Sequence, residues 1–210
     1  YNEISDNDYL NDTNSSLGIN RETHMPTRGE IYFDKSEWHF NILGESYQTV
    51  DDTIALNNRP YKRLPQLNLN YIPDSFTGLT GSVKSQATQF KRDNDKLTGT
   101  SAINGTRLVL DSSISYTFEW PFAYITPKAD YKIRQYQLDD VEQSLLDSGF
   151  DENPSIAIPK YSVDAGLFFE RELQAFNSDY IQTLEPRIMH LQVPYYDQSE
   201  IPNFDSSALT

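Results

Sequence analysis

The sequence predicts an all-β chain: an antiparallel up-and-down transmembrane β-barrel segment, about eight strands of a larger barrel, with one short helix in a long loop. Three observations lead there. Extended runs with a period of two follow one another along the chain. The connections between them alternate between short and long. Composition joins few aliphatics to many aromatics, with 37% hydrophobic residues, 13% aromatic, 14 Tyr and 11 Phe, and a mean hydropathy of -0.63. A wall with lipid on one side, water on the other and aromatic girdles at its rims has such a composition. Composition alone fits a tyrosine-rich extracellular β-domain equally well.

Tyr1–Ile4 reads as the end of a strand. The run 5–20 is polar and rich in Asp and Asn, which makes it a loop. Asp6, Asp8 and Asp12 offer oxygens to calcium, but the spacing lacks the glycine and closing glutamate of an EF-hand loop. Asn11, Asn14 and Asn104 open glycosylation-acceptor triplets, read here as coincidence. Arg21–Phe33 and Glu37–Gln48 form a pair of runs; in the second, Trp38, Phe40 and Ile42 alternate with His39, Asn41 and Leu43. Lys62–Tyr71 puts Leu67, Leu69 and Tyr71 on one face and Gln66, Asn68 and Asn70 on the other. Buried amides need a full set of partners, so three on one face are most simply explained by water.

Gly78–Arg92 returns, and Thr106–Glu119 alternates most clearly, with Ile114, Tyr116, Phe118 and Trp120 opposing Ser113, Ser115, Thr117 and Glu119. Ala123–Gln137 follows a tight aromatic turn, and Pro127 inside it predicts a bulge or a locally broken ladder. Over Leu138–Phe150 the period changes: Leu138, Val141, Leu145 and Leu146 fall at helical spacing, with Gly149 just past the end. Ile156–Arg171 puts Tyr161, Val163, Ala165, Leu167 and Phe169 opposite Ser162, Asp164 and Glu170. A turn over Glu172–Asp179 then leads into an extended segment and a polar, acidic loop after Val193.

Short turns fall near Asp34, Pro73, Pro121 and Ala175, and long polar links at Thr49–Tyr61, Asp93–Gly105, Leu138–Ser155 and after Val193. Up-and-down barrels show that alternation, whereas Greek-key sandwiches do not enforce it. The runs, about 10–15 residues each, are long enough for a tilted strand to cross a bilayer core. No apolar run is long enough for a spanning helix.

A net charge of -14 leaves no basic stripe for nucleic acid. The absence of Cys excludes disulfides, cysteine zinc sites and a cysteine nucleophile within this chain. His24, His39 and His190 lack metal-ligand spacing and read as strand residues. Glu170 with Glu172, or Asp139 with Asp140, has only adjacency to suggest a glycosidase pair, which must instead flank a substrate. Nothing points to an enzyme or a cofactor.

Two stretches carry a family resemblance. Residues 183–207 read TLEPRIMHLQVPYYDQSEIPNFDSS, and Arg59–Leu67 reads RPYKRLPQL. The LEPR, VPYxDQS and NFDSS phrases, together with the earlier one in the right order, resemble the barrel domain of the lipopolysaccharide-assembly family LptD (OstA, Imp). The resemblance covers most of the chain. It implies that residues 1–210 are a partial outer-membrane barrel domain, truncated at both ends. It also implies non-enzymatic assembly of lipopolysaccharide into the outer leaflet, through a lumen and a lateral opening. The implied partners are lipopolysaccharide, membrane lipid, an LptE-type plug lipoprotein and an LptA-type periplasmic bridge. Long loops would be extracellular and short turns periplasmic. The family's disulfides to a periplasmic domain would lie outside this chain.

Alternation, not the resemblance, selects Gln66, Asn68, Asn70, Glu119, Asp164, Glu185 and Arg187 as a lumen-facing polar wall that meets plug or headgroup. Leu184, Pro186 and Ile188 point away from Glu185, Arg187 and Met189, and that Glu and Arg can pair with each other or with neighbouring strands. Two other readings stay open: a complete small barrel acting as porin or adhesin, and a secreted carbohydrate-binding sandwich in which Trp38 and Trp120 stack on sugars.

Overall fold

The period-two runs become strands. A computed structural model of the chain describes residues 24–50, 53–93, 95–176, 178–198 and 201–205. The strands are β1 (His24–Lys35), β2 (Trp38–Thr49), β3 (Lys62–Tyr71), β4 (Leu79–Lys91), β5 (Asn104–Tyr116), β6 (Phe118–Trp120), β7 (Ala123–Asp139), β8 (Ser155–Leu167), β9 (Phe169–Ala175), β10 (Ser178–Leu184) and β11 (Arg187–Gln192). They form a nine-stranded sheet in the order β1-β2-β3-β4-β5-β7-β8-β11, with β6 on β7, and a two-stranded sheet β10-β9.

The register shows that several of these are single strands. β5 and β6 meet β7 in one uninterrupted frame, from Ser115↔Lys128 to Phe118↔Ile125. The missing rungs lie opposite Thr126 and Pro127, so the proline breaks the ladder locally, as expected, without a bulge. Likewise β8 continues into β9 and β10 into β11: Gly166↔Arg187 and Phe169↔Leu184 share one frame. The result is a meander of eight continuous antiparallel strands, open at β1 and β11 among the described residues.

A bulge does occur at Leu64-Pro65. The register shifts between Leu43↔Gln66 and Glu45↔Arg63, and on the other edge between Gln66↔Thr88 and Arg63↔Phe90. Proline has no N–H to give the ladder and is tolerated at such a site. The extra residue reverses the alternation, so Arg63 shares a face with Glu45 and with the Gln66 series.

Two expectations are corrected. The helix α1 (Gln143–Asp147) is much shorter than Leu138–Phe150. Leu138 and Asp139 end β7, paired with Gly105 and Asn104, and Asp140 (φ 61°) turns the chain away. Leu138, Val141 and Leu145 are spaced as they are because all three pack on one aromatic cluster. The expected turn over Glu172–Asp179 is mostly strand: Glu172↔Ile181, Leu173↔Tyr180 and Gln174↔Asp179 extend the last hairpin to a turn at Phe176 (φ 52°).

That cluster sits where the long links meet. Tyr61, Phe90, Ile103, Tyr136, Leu138 and Phe204 are buried together, with Val141, Leu145, Phe150 and Ile201 against them. Arg92 ties two links, donating to Asn57 O (2.9 Å), Tyr61 Oη (2.9 Å) and Ser101 O (2.5 Å). Tyr61 donates in turn to Ile103 O (2.9 Å), and burial pushes its phenol pKa up. Glu142 reaches a neighbouring link by accepting from Gly99 N (2.8 Å).

The described residues after Val193 form a loop, as expected. It folds back on the sheet, so that Phe204 stacks on Phe90, centroids 4.7 Å apart and planes 11° apart. Burying Phe204 among these rings contributes about 1.5–3 kcal/mol toward holding the segment down. The stretch 1–23, with Asp6, Asp8, Asp12, Asn11 and Asn14, lies outside the described residues. Asn104 spends its amide internally, accepting from Arg92 N (2.8 Å) and donating to Asp140 (2.9 Å).

Candidate functional site: a two-faced wall

Register sorts every strand residue, because paired residues share a face and successive residues alternate. One rung runs Trp38↔Tyr71↔Val83↔Ser112↔Tyr131↔Pro159. Its face also carries Ile31, Ile114, Phe118 and Leu167, which remain 71%, 56%, 46% and 42% exposed. No second sheet covers them among the described residues. Fully burying one such side chain is worth about 1.5–3 kcal/mol, so an uncovered apolar face this wide demands a partner or a lipid.

Aromatics gather at the short-turn rim of that face. Trp38 lies 4.5 Å from Tyr71, Tyr116 4.6 Å from Phe118, and Phe118 6.4 Å from Trp120, centroid to centroid.

The other face is polar and cross-linked. Arg107 donates to Gln86 Oε1 (3.3 Å), Gln86 to Asn68 Oδ1 (2.8 Å), Asn68 to Asn41 Oδ1 (2.6 Å), and Asn41 to Glu30. Every donor in this chain points the same way across five strands. Arg107 also holds Asp205 of the returning segment through both carboxylate oxygens, at 2.7 and 2.8 Å. Arg63 pairs with Glu45, which is 5% exposed, and Tyr47 donates to the same carboxylate at 2.7 Å. Arg134 grips Asp111 at 2.6 and 3.1 Å. Lys128 and Lys160 flank Asp130 at 3.1 and 3.3 Å.

The seven residues selected from alternation fall as follows. Gln66, Asn68 and Asn70 share the polar face, but water is not what satisfies Gln66: it is 8% exposed and donates to Asn68 Oδ1 at 3.3 Å. For Gln66 and Asn68, neighbouring amides take up part of the work assigned to solvent. Asp164 accepts from Nε and Nη2 of Arg187, at 2.8 and 2.5 Å, so the arginine pairs across strands and not with Glu185. Tyr124 lies over Gly166 and also donates to Asp164 (3.4 Å); a Cβ at Gly166 would come within 2.4 Å of its ring. Glu119 and Glu185 are exposed near the short turns, away from the amide chain.

Sequence reasoning missed Glu30, Asn41, Gln86 and Arg107. The same alternation in β1, β2, β4 and β5 marks them, whereas Asp205 had no signal because its partner is distant in sequence. The histidines are apart: His24 Nδ1 is 3.1 Å from Thr49 Oγ1, His39 pairs with Asp34 at 2.7 Å, and His190 lies on the apolar face opposite Val163. Glu170 and Glu172 are exposed on the projecting hairpin. Among the described residues no group of three or more His, Asp or Glu could hold a metal ion.

Register, exposure and hydrogen bonding thus define a class: an all-β meander whose single sheet is apolar on one face and polar on the other. Residues 1–210 match the family model LptD, LPS transport system D. The chain is 38% identical to the LPS-assembly protein LptD of Hahella chejuensis, across all of this chain and 26% of that relative. It is 36% identical to that of Alcanivorax borkumensis, over 99% of this chain and 26% of the relative. It is 33% identical to that of Pseudomonas savastanoi pv. phaseolicola, over all of this chain and 25% of the relative. The chain belongs to the LptD family, and it spans about a quarter of the length of the curated relatives it matches.

Proposed function

We propose that this chain is a section of an outer-membrane β-barrel wall through which lipopolysaccharide is assembled into the outer leaflet. The two-faced sheet carries the reading. An uncovered apolar face suits hydrocarbon, and a polar face rich in amides and ion pairs suits a sugar-lined passage. The relatives are LPS-assembly proteins, which supports lipopolysaccharide as the substrate. Residues 1–210 are then part of one barrel domain, completed by strands from the rest of the protein.

The role is passive: the wall lowers no chemical barrier and needs no cofactor. Gln66, Asn68, Asn70, Glu119, Asp164, Glu185 and Arg187 form the wall that headgroup or plug meets. The acyl chains leave through a lateral opening made by strands outside this chain. A plug lipoprotein of the LptE type and a periplasmic bridge of the LptA type are the partners. The long links face the cell exterior and the short turns the periplasm.

Photo-crosslinking in cells tests this. A photoreactive residue replacing Asn68 or Asp164 in the full-length protein should capture lipopolysaccharide or the plug. The same residue replacing Ile114 should capture phospholipid. Crosslinks to neither lipopolysaccharide nor plug from the polar positions would contradict the reading.

A further inference from the structure

Cations concentrate in the middle of the polar face. Lys84 on β4, Arg107 on β5, Lys132 and Arg134 on β7 and Lys160 on β8 share it by register. This occurs in a chain with a net charge of -14. Asp111 stands directly between Lys84 and Lys132 on the neighbouring strands, yet it is taken by Arg134. Lys84 and Lys132 are in no ion pair among the described residues. A charge ladder that only stabilises a wall would be matched, because surplus like charge repels itself.

The returning segment roofs part of this patch. Between it and the sheet lies a cavity of about 450 Å³, within the range of small-ligand sites. Arg107, Lys132 and Arg134 line its sheet side, and Gln198 and Asp205 its roof. Ile156 and Ile158 give it an apolar flank. Arg107 Nε is buried there and has no hydrogen-bond partner among the described residues.

We propose that this cavity binds a phosphate-bearing sugar, its phosphate seated between Lys132 and Arg134, with Asp205 acting as a built-in competitor anion on Arg107. Paired guanidinium and ammonium donors suit a phosphate, and an amide beside an apolar flank suits a sugar ring. Asp205 occupies the guanidinium fork that a ligand oxygen would otherwise take. A bound phosphate therefore weakens the ion pair holding the returning segment, and the segment and ligand oppose each other. The proposal rests on the lipopolysaccharide reading and names where on the wall its phosphorylated headgroup pauses.

Calorimetry on the full-length protein in detergent tests it, with glucosamine 1-phosphate, glucosamine and inorganic phosphate as probes. Glucosamine 1-phosphate should bind and glucosamine should not. Lys132→Gln, which breaks no ion pair and should fold normally, and Arg134→Gln should each weaken binding at least tenfold. Asp205→Asn should tighten it several-fold, and Lys62→Gln, on the opposite face, should leave it unchanged. Unchanged binding in Lys132→Gln, or inorganic phosphate binding as tightly as the sugar phosphate, would overturn the proposal. Depleting the full-length protein separates the two readings. If surface lipopolysaccharide persists, the transport reading has failed. If it is lost while Lys132→Gln binds the sugar phosphate normally, only the site proposal has failed.

Discussion

Replacing Ile114 by arginine probes the apolar face at its centre. Ile114 is 56% exposed and pairs with Gly81 on one side and Ala129 on the other. Both neighbours are small, so an arginine meets no steric obstacle and the cost is one of solvation alone. On a face open to water the change would be worth about 0.5 kcal/mol or less. At the middle of a lipid-facing wall it should cost about 2–4 kcal/mol, which is roughly a 30- to 900-fold fall in the folded-to-unfolded ratio. Ser113→Arg is the matched control, one residue away on the polar face beside Asp130, whose carboxylate already lies between Lys128 and Lys160. That arginine keeps its charge in water and should cost less than about 1 kcal/mol. The assay is urea titration of the full-length protein in lipid vesicles, followed by the gel mobility of the folded form. Equal stability of Ile114→Arg and wild type, or an equal loss in both variants, would refute the reasoning.

Phe204→Ala should cost about 3–5 kcal/mol locally, read as faster proteolysis within the returning segment. Glu45→Ala strands Arg63 beside Tyr47 and should cost about 3 kcal/mol, measured by the same urea titration. Asp164→Asn breaks a pair whose arginine side chain is 64% exposed, so the loss should stay under about 1 kcal/mol; a larger loss would mean water is excluded from that part of the wall. The isolated chain, with open edges at β1 and β11, should aggregate and unfold without a cooperative transition. A sharp two-state transition would count against its being an open section of a larger sheet.

Strand faces were legible because alternation is local: Gln66 against Leu67 or Ser113 against Ile114 needs only neighbouring residues. β3 is legible to both its ends, since polar links flank it clearly. What failed depended on partners far along the chain. The apolar spacing of Leu138, Val141 and Leu145 suggests a helix until the aromatic cluster that draws all three together is known. The polar run after Val193 is the loop it reads as, but nothing local shows that Phe204 meets Phe90 and Asp205 meets Arg107. Nothing local at Leu64-Pro65 shows that a bulge turns Arg63 toward Glu45. The polar wall was half legible: alternation found Asn68, but its partners Asn41 and Gln86 belong to other strands.

The central claim, lipid on one face and water on the other, is tested most directly by a spin-label scan of residues 112–118 in the full-length protein reconstituted in vesicles. Accessibility to oxygen, which partitions into lipid, should peak at Ser112, Ile114, Tyr116 and Phe118. Accessibility to a water-soluble nickel chelate should peak at Ser113, Ser115 and Thr117. Both profiles rising and falling together, or neither alternating, would contradict it.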